Sequence, residues 1–364
     1  MTESSKPTRI LSIDTLRGFD MFWISGGEGL FIALFTFLGW TSFSQQLHHV
    51  PWSGFHFYDF IFPLFMFLVG VSMPLSITKR LEKGDSRKKI YLHVIKRTLI
   101  LYVFGLIYNG LFDFDFASLR YTGVLPRIAF AYMMSAFIVM NFKKWGQITW
   151  IILLTFGYWL VLLVVPVPGF GAYNLTPEGN LSAYIDRLFL PGSFCCYDYG
   201  DNEGLLSNIP AIASTLIGVL SGNLLISNIS HKEKIKRMLI VALSLIVIAL
   251  ILNPVYPIIK NLWTGSFVAL TSGLSILLLC VFYWVIDVKG YTRWTFPFRV
   301  YGLNSITIYM AAGLFDFGII AQIFIHGFYA GFGDFQTTFL ELCILLIKWL
   351  FLYFLYRYKI FLKV

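Results

Sequence analysis

The stretch 237–253, RMLIVALSLIVIALILN, decides the fold. Between Arg237 and Asn253 it carries no charge, and Ser244 is its only polar side chain. A helix that is apolar on every face has no side for water, so it belongs in a large core or in lipid. The neighbouring sequence selects lipid. Working outward, comparable stretches lie near 19–40, 57–78, 93–112, 120–141, 147–167, 205–227, 262–286, 300–326 and 337–356, ten in all. About 20 apolar residues in a helix span the roughly 30 Å of hydrocarbon in a bilayer. Composition agrees: the chain of 364 residues is 57% hydrophobic and 13% charged, with a mean hydropathy of +0.73. A soluble domain is about 25% charged. A single water-soluble globule, a disordered chain and a fibrous chain are all excluded. The expectation is an all-α polytopic membrane protein, a bundle of about ten transmembrane helices forming one domain over 1–364.

Charge sets the orientation. The net charge of +9 would raise nucleic-acid binding in a soluble protein, but here the placement of Lys and Arg matters more than the sum. With the N-terminus inside, the inner connections carry 23 basic residues, among them Lys79, Arg80, Lys83, Arg87, Lys88, Lys89, Lys96 and Arg97. The outer connections carry three: Arg120, Arg187 and Lys260. Cytoplasmic loops hold the basic excess, so both termini are placed in the cytoplasm. The polar start, MTESSKPTRILSIDTLRG, lacks the apolar core of a signal peptide and is expected to stay in the mature protein. Outside lie the segment around His48 and His49, the FDFDFASLR loop, a long loop over 168–204 and the turn NPVYPIIKN. A loop longer than about 12–15 residues usually has work to do, so 168–204 is a candidate cover for a site. The four cysteines give no framework: Cys195 and Cys196 are adjacent, and adjacent cysteines rarely pair, so neither a disulfide nor a metal site is expected.

A charge at mid-bilayer costs about 2.5–3.5 kcal/mol, so each polar group in or beside a span needs a partner or a purpose. Glu28, within Gly26-Gly27-Glu28-Gly29, reads either as a packing salt bridge or as part of a site. Arg127, after Gly123-Val124-Leu125-Pro126, needs an anion: an acidic side chain or a cofactor phosphate. His49 opens the run His49-Val50-Pro51-Trp52-Ser53-Gly54-Phe55-His56, with Asp59 close behind. A carboxylate on one ring nitrogen fixes a histidine's tautomer and leaves the other nitrogen as a base, although a histidine beside Pro and Trp also suits a membrane surface. Asp201 and Glu203 read as helix-start acids or as ligands for sugar hydroxyls or an amine. Lys260, Trp263, Asn304 and Ser305 place polar or stacking groups at two further helix starts.

Together these segments resemble the bacterial branch of the heparan-alpha-glucosaminide N-acetyltransferase family. The likeness rests on Ser12 to Gly18, His49 three residues before Trp52-Ser53-Gly54, Asp59-Phe60-Ile61-Phe62-Pro63 running to Gly70, and Gly123 to Arg127. It continues in Asp201 to Gly204 with Gly218 and Gly222, Asn261-Leu262-Trp263, Asp287-Val288-Lys289-Gly290, and Gly302 to Tyr309. Two departures are Ser53, where the family often has Asn, and Asn202, where it has Pro.

The resemblance implies a homodimeric multi-pass enzyme of the bacterial inner membrane. It would move an acetyl group from cytoplasmic acetyl-CoA to the amine of an extracytoplasmic glucosamine, with His49 catalytic. On this reading Asp59 or Glu28 holds the ring, and His49 serves as a base or carries the acetyl group. Arg17 and Arg127 meet acetyl-CoA, with Asn304 and Ser305 as oxyanion donors; Asp201, Glu203, Lys260 and Trp263 meet the sugar. No metal and no nucleic acid enters. The rival class is a transporter of amino sugars or other small solutes, with Lys348 and Glu341 in a proton relay.

Overall fold

The computed structural model describes residues 10–362, with the side chains of 328–330 left out. Helices account for 73% of the described residues. In order they are α1 (Leu11–Phe22), α2 (Glu28–Phe37), α3 (Thr41–Gln45), α4 (Ile61–Glu82), α5 (Arg87–Tyr108), α6 (Val124–Asn141), α7 (Lys144–Val164), α8 (Leu181–Phe189), α9 (Asn208–Ile226), α10 (His231–Leu252), α11 (Gly265–Phe282), α12 (Phe296–Leu303), α13 (Ser305–Leu314), α14 (Phe317–Tyr329) and α15 (Gln336–Arg357). The described sheet is one two-stranded hairpin, β1 (Cys196–Tyr197) antiparallel to β2 (Gly200–Asp201).

Among the described residues, eight helices are long and apolar enough to cross a membrane; a ninth span arises if Ser305–Leu314 and Phe317–Gly327, bent by 73°, are taken as one. The protein is an all-α polytopic membrane protein. The stretch expected over 19–40 falls outside these nine. It belongs to a run in three pieces, α1, a π-helical turn Trp23–Gly27 and α2, because Gly26 adopts φ 127° and interrupts the regular backbone. The positive φ is open to glycine without a side-chain clash.

The chain divides into two compact units. The first comprises residues up to Trp40, Ser230–Leu239 and the stretch from Ile276; the second comprises Thr41–Ile229 and Ile240–Ser275. Inside the second unit α4 and α9 touch backbone to backbone. A Cβ on Gly70 would stand 1.9 Å from the Thr215 carbonyl oxygen, and one on Gly218 would stand 2.1 Å from that of Phe67. Lipid supplies no hydrophobic drive between helices, so small residues that admit such close approach hold the pair by van der Waals contact. Tyr158, Leu162, Val167, Leu181 and Tyr256 form a buried cluster that fastens the 168–204 loop and the turn before α11 to α7. In the first unit α1 and α12 pack in the same manner, Gly302 against the Asp14 carbonyl.

Candidate active site

The second unit gathers the histidine, aspartate and lysine singled out above. A short 3-10 turn, Phe57–Phe60, precedes α4, and the loop before it folds back onto that turn. Tyr58 N donates to Gln46 O at 3.0 Å, and Phe57 N to Gln46 Oε1 at 3.2 Å. Asp59, fully buried, is the anchor. Its Oδ2 accepts the backbone N–H groups of His56 (3.1 Å) and Val50 (3.3 Å), and its Oδ1 lies 2.7 Å from His49 Nδ1. A carboxylate whose other oxygen already accepts two N–H donors accepts a hydrogen bond from the ring, which assigns Nδ1–H and leaves Nε2 as the free base nitrogen. The imidazole side chain is 50% exposed, so a buried anchor holds an accessible ring.

Lys260 reaches this pair from the turn before α11. That turn is held by Gly54 N donating to Ile258 O (2.9 Å), by Ile259 N donating to Thr264 Oγ1 (3.1 Å), and by Thr264 Oγ1 donating to Pro257 O (2.9 Å). Lys260 Nζ sits 3.4 Å from Asp59 Oδ1, 2.9 Å from His49 Nδ1 and 3.1 Å from His49 Nε2. The two ring nitrogens flank a C–H group, so an atom almost equidistant from both lies over the face of the ring and leaves the in-plane direction at Nε2 open. Burial pushes the Lys260 amine below the usual lysine pKa; the charges of Asp59 and Glu203 pull it back up, and Arg127 adds to the lowering.

Arg127 is 1% exposed, on the first turn of α6. Its Nε donates to Asn208 Oδ1 at 3.0 Å, its Nη2 donates to Ser207 Oγ, and the guanidinium carbon lies 4.7 Å over the Trp263 ring. Its Nη1 is buried with no hydrogen-bond partner. Trp263, also 1% exposed, is wedged against Phe62 and Phe267 and donates its indole N–H to Ser214 Oγ at 3.1 Å. A ring so covered holds Arg127 in place and offers no open face to a sugar.

Asp201 and Glu203 meet Arg120, which the sequence marks only as one of three basic residues in the outer connections. Arg120 binds Asp201 through two parallel bonds, Nε to Oδ2 and Nη2 to Oδ1, each 2.7 Å, and its Nη2 also reaches Glu203 Oε2. Burial opposes the Arg120 charge, but Asp201 and Glu203 outweigh it and raise the guanidinium pKa above its ordinary value. Burial likewise acts to raise the Asp201 carboxyl, and the Arg120 bond outweighs that and holds it below the usual range. These two acids therefore brace the 168–204 loop against the α5–α6 connection.

No family model matches the chain. The chain is 30% identical over 375 residues to heparan-alpha-glucosaminide N-acetyltransferase of Homo sapiens, an alignment covering 86% of the chain and 54% of that protein. With the Mus musculus protein of the same name it shares 28% identity over 372 residues, covering 85% of the chain and 54% of the relative. Over most of its length the chain is similar to heparan-alpha-glucosaminide N-acetyltransferases. It spans about half the length of the curated relatives it matches. The histidine that the heparan-alpha-glucosaminide N-acetyltransferase resemblance singles out, His49, is thus the one with a buried carboxylate on Nδ1 and a lysine over its face.

The remaining candidates lie in the first unit. Glu28 starts α2 just after the Gly26 kink, and beside it Lys348 Nζ donates to the Ser25 carbonyl at 2.6 Å. Arg17 is paired with Asp14 at 3.8 Å. Asn304, 1% exposed between α12 and α13, donates from Nδ2 to Ile360 O at 3.2 Å and so tethers the chain after α15. Ser305 Oγ donates to Gly302 O at 3.4 Å. One expectation is corrected: Cys195 and Cys196 form a disulfide with each other. It opens the β1–β2 hairpin, and Cys195 N donates to Asp201 Oδ2 at 3.2 Å.

Asp186 was also missed. Fully buried on α8, it accepts Leu205 N (2.8 Å) and Asp201 N (3.3 Å), and burial raises its pKa to about 6. An unfolded aspartate titrates near about 3.9. The folded state therefore binds the extra proton, and the stability this gives is present below about pH 4 and lost as the pH rises through about 6. The melting temperature of the wild type minus that of Asp186→Asn, measured in detergent, is expected to fall between pH 5 and pH 8.

Proposed function

We propose that the protein is a membrane N-acetyltransferase that moves an acetyl group from acetyl-CoA to the amine of an extracytoplasmic glucosamine or amino-sugar glycan, from a multi-pass position in a bacterial inner membrane with the N-terminus inside. The observation that carries this reading is the imidazole of His49, oriented by Asp59 at 2.7 Å and open at Nε2. Amine acetylation needs an unprotonated amine at the moment of attack and positive charge facing the oxyanion that follows. His49 Nε2 takes the amine proton, and Asp59 stabilises the imidazolium that results. The Lys260 ammonium, 3.1 Å from His49 Nε2, is assigned the charge that faces the oxyanion. Arg17 and the basic inner connections are assigned the phosphates of acetyl-CoA, and the buried Nη1 of Arg127, which has no hydrogen-bond partner, a ligand oxygen.

Purified protein in detergent, without a sealed compartment, is expected to acetylate glucosamine from labelled acetyl-CoA. A solute carrier cannot do this, and absence of transfer would sink the reading. His49→Ala, folded as judged by its melting temperature, is expected to lower kcat by about 10²–10⁴-fold. Unchanged turnover in that variant would remove the histidine from the chemistry.

A further inference from the structure

We infer that Lys260 is an internal acetyl acceptor: when donor is bound and no sugar amine is present, the acetyl group passes to Lys260 Nζ and the protein modifies itself. This rests on the acetyltransferase reading above. The inference comes from where Nζ stands. A group that gives its proton to a general base must lie about 2.6–3.2 Å from it. Lys260 Nζ is 3.1 Å from Nε2 of His49, over the face of the ring, so turning the last bonds of its side chain brings it into the ring plane, where the amine of a sugar would have to stand. It is moreover a primary amine, the functional group that the proposed reaction acetylates. The turn that carries it is tied down at Ile259 and Thr264, and the side chain is only 11% exposed, so Nζ is held beside the ring.

The competing state is the ammonium paired with Asp59 at 3.4 Å, which has no lone pair and cannot attack. Burial shifts the balance toward the free amine. In that form the Nζ lone pair attacks the thioester carbonyl carbon. The new C–N bond forms, the C–S bond breaks, its electron pair leaves with the CoA thiolate, and the proton released from Nζ passes to His49 Nε2. The product is a neutral amide. It deprives Asp59 of the Lys260 cation and places an uncharged acyl group over the imidazole, so each such event removes one molecule from turnover. A sugar amine competes for the same thioester, so the modification is confined to donor without acceptor.

The test incubates the full-length protein in detergent with radiolabelled acetyl-CoA alone, follows label and residual activity together, and locates the label by peptide mass spectrometry. The expected result is one acetyl group on Lys260, activity lost in proportion to label, and protection by added glucosamine. In His49→Ala, labelling of Lys260 is expected to be about a hundredfold slower. In Lys260→Arg, which keeps the cation, the protein is expected to take up no label at this site, and whatever activity the variant starts with is expected not to decline during the incubation. Lys260 left unmodified in a preparation that does acetylate glucosamine overturns the inference and leaves the enzyme reading standing. Equal labelling of Lys260 in wild type and His49→Ala overturns it too, as uncatalysed acetylation. A preparation that acetylates neither glucosamine nor Lys260 removes the enzyme reading and this inference with it.

Discussion

Asp59→Asn is expected to abolish most turnover while leaving the fold in place. The buried oxygen of residue 59 that accepts from Val50 and His56 would still be needed, so the asparagine keeps its carbonyl there and turns its NH2 toward His49 Nδ1. A donor at that place forces Nδ1 to accept, moves the ring proton to Nε2 and leaves no base nitrogen facing the acceptor. The same NH2 faces the Lys260 ammonium where a carboxylate oxygen now stands at 3.4 Å. A wrong tautomer in a His–Asp pair lowers kcat by about 10⁴-fold in the best-studied hydrolytic triad. The measurement is kcat and KM for the amine acceptor beside the melting temperature. A loss confined to kcat supports the positioning role, whereas a KM rise alone would mean that Asp59 serves binding. Asp59→Ala is the harsher change, because it leaves the N–H groups of Val50 and His56 without an acceptor.

The largest effect on stability is expected at Arg120. Asp201 is fully buried and Glu203 nearly so, and Arg120 is the cation paired with both. Removing one partner of a buried ion pair costs about 3–5 kcal/mol, because the remaining charge has neither water nor a counter-ion. Arg120→Met is therefore expected to melt far below the wild type in detergent or to fail to fold. Arg120→Lys should fall between, since a point charge cannot reproduce the two parallel bonds. The variant carrying Arg120→Met, Asp201→Asn and Glu203→Gln together should recover part of the loss, because no unpaired charge is left. An Arg120→Met protein that melts like the wild type would show that the acids are not held by this guanidinium.

The spans were readable because lipid admits only long apolar helices, a demand that 237–253 meets on its own terms. The kink at Gly26 was not readable, since Gly26-Gly27 in an apolar run fits both a tolerated helix position and a break. His49 and Asp59 could be paired from the chain because ten residues separate them and the chemistry of each implies the other. Lys260 is 211 residues from His49, and no local pattern joins them. A signal did exist: the outer connections hold only three basic residues, and two of these, Arg120 and Lys260, prove to be bonded to buried carboxylates. Depletion of a residue type makes its survivors informative. Asp186 gave no such signal, because an aspartate on an outer loop is ordinary, and neither did the disulfide, because adjacent cysteines rarely pair.

Trp263 has one more implication. It holds φ 51°, a left-handed backbone that a bulky side chain adopts at a cost of roughly 1–3 kcal/mol unless its surroundings insist. What insists is the packing of Phe62, Phe267 and Ser214 around its indole, three residues after Lys260. Loosening that wedge relaxes the turn and swings the lysine off the imidazole before any span has to leave its neighbours. Warmed or harshly solubilised protein is thus expected to lose the proposed acetyl transfer while its circular dichroism still looks native, so that an activity assay reports damage earlier than spectroscopy does.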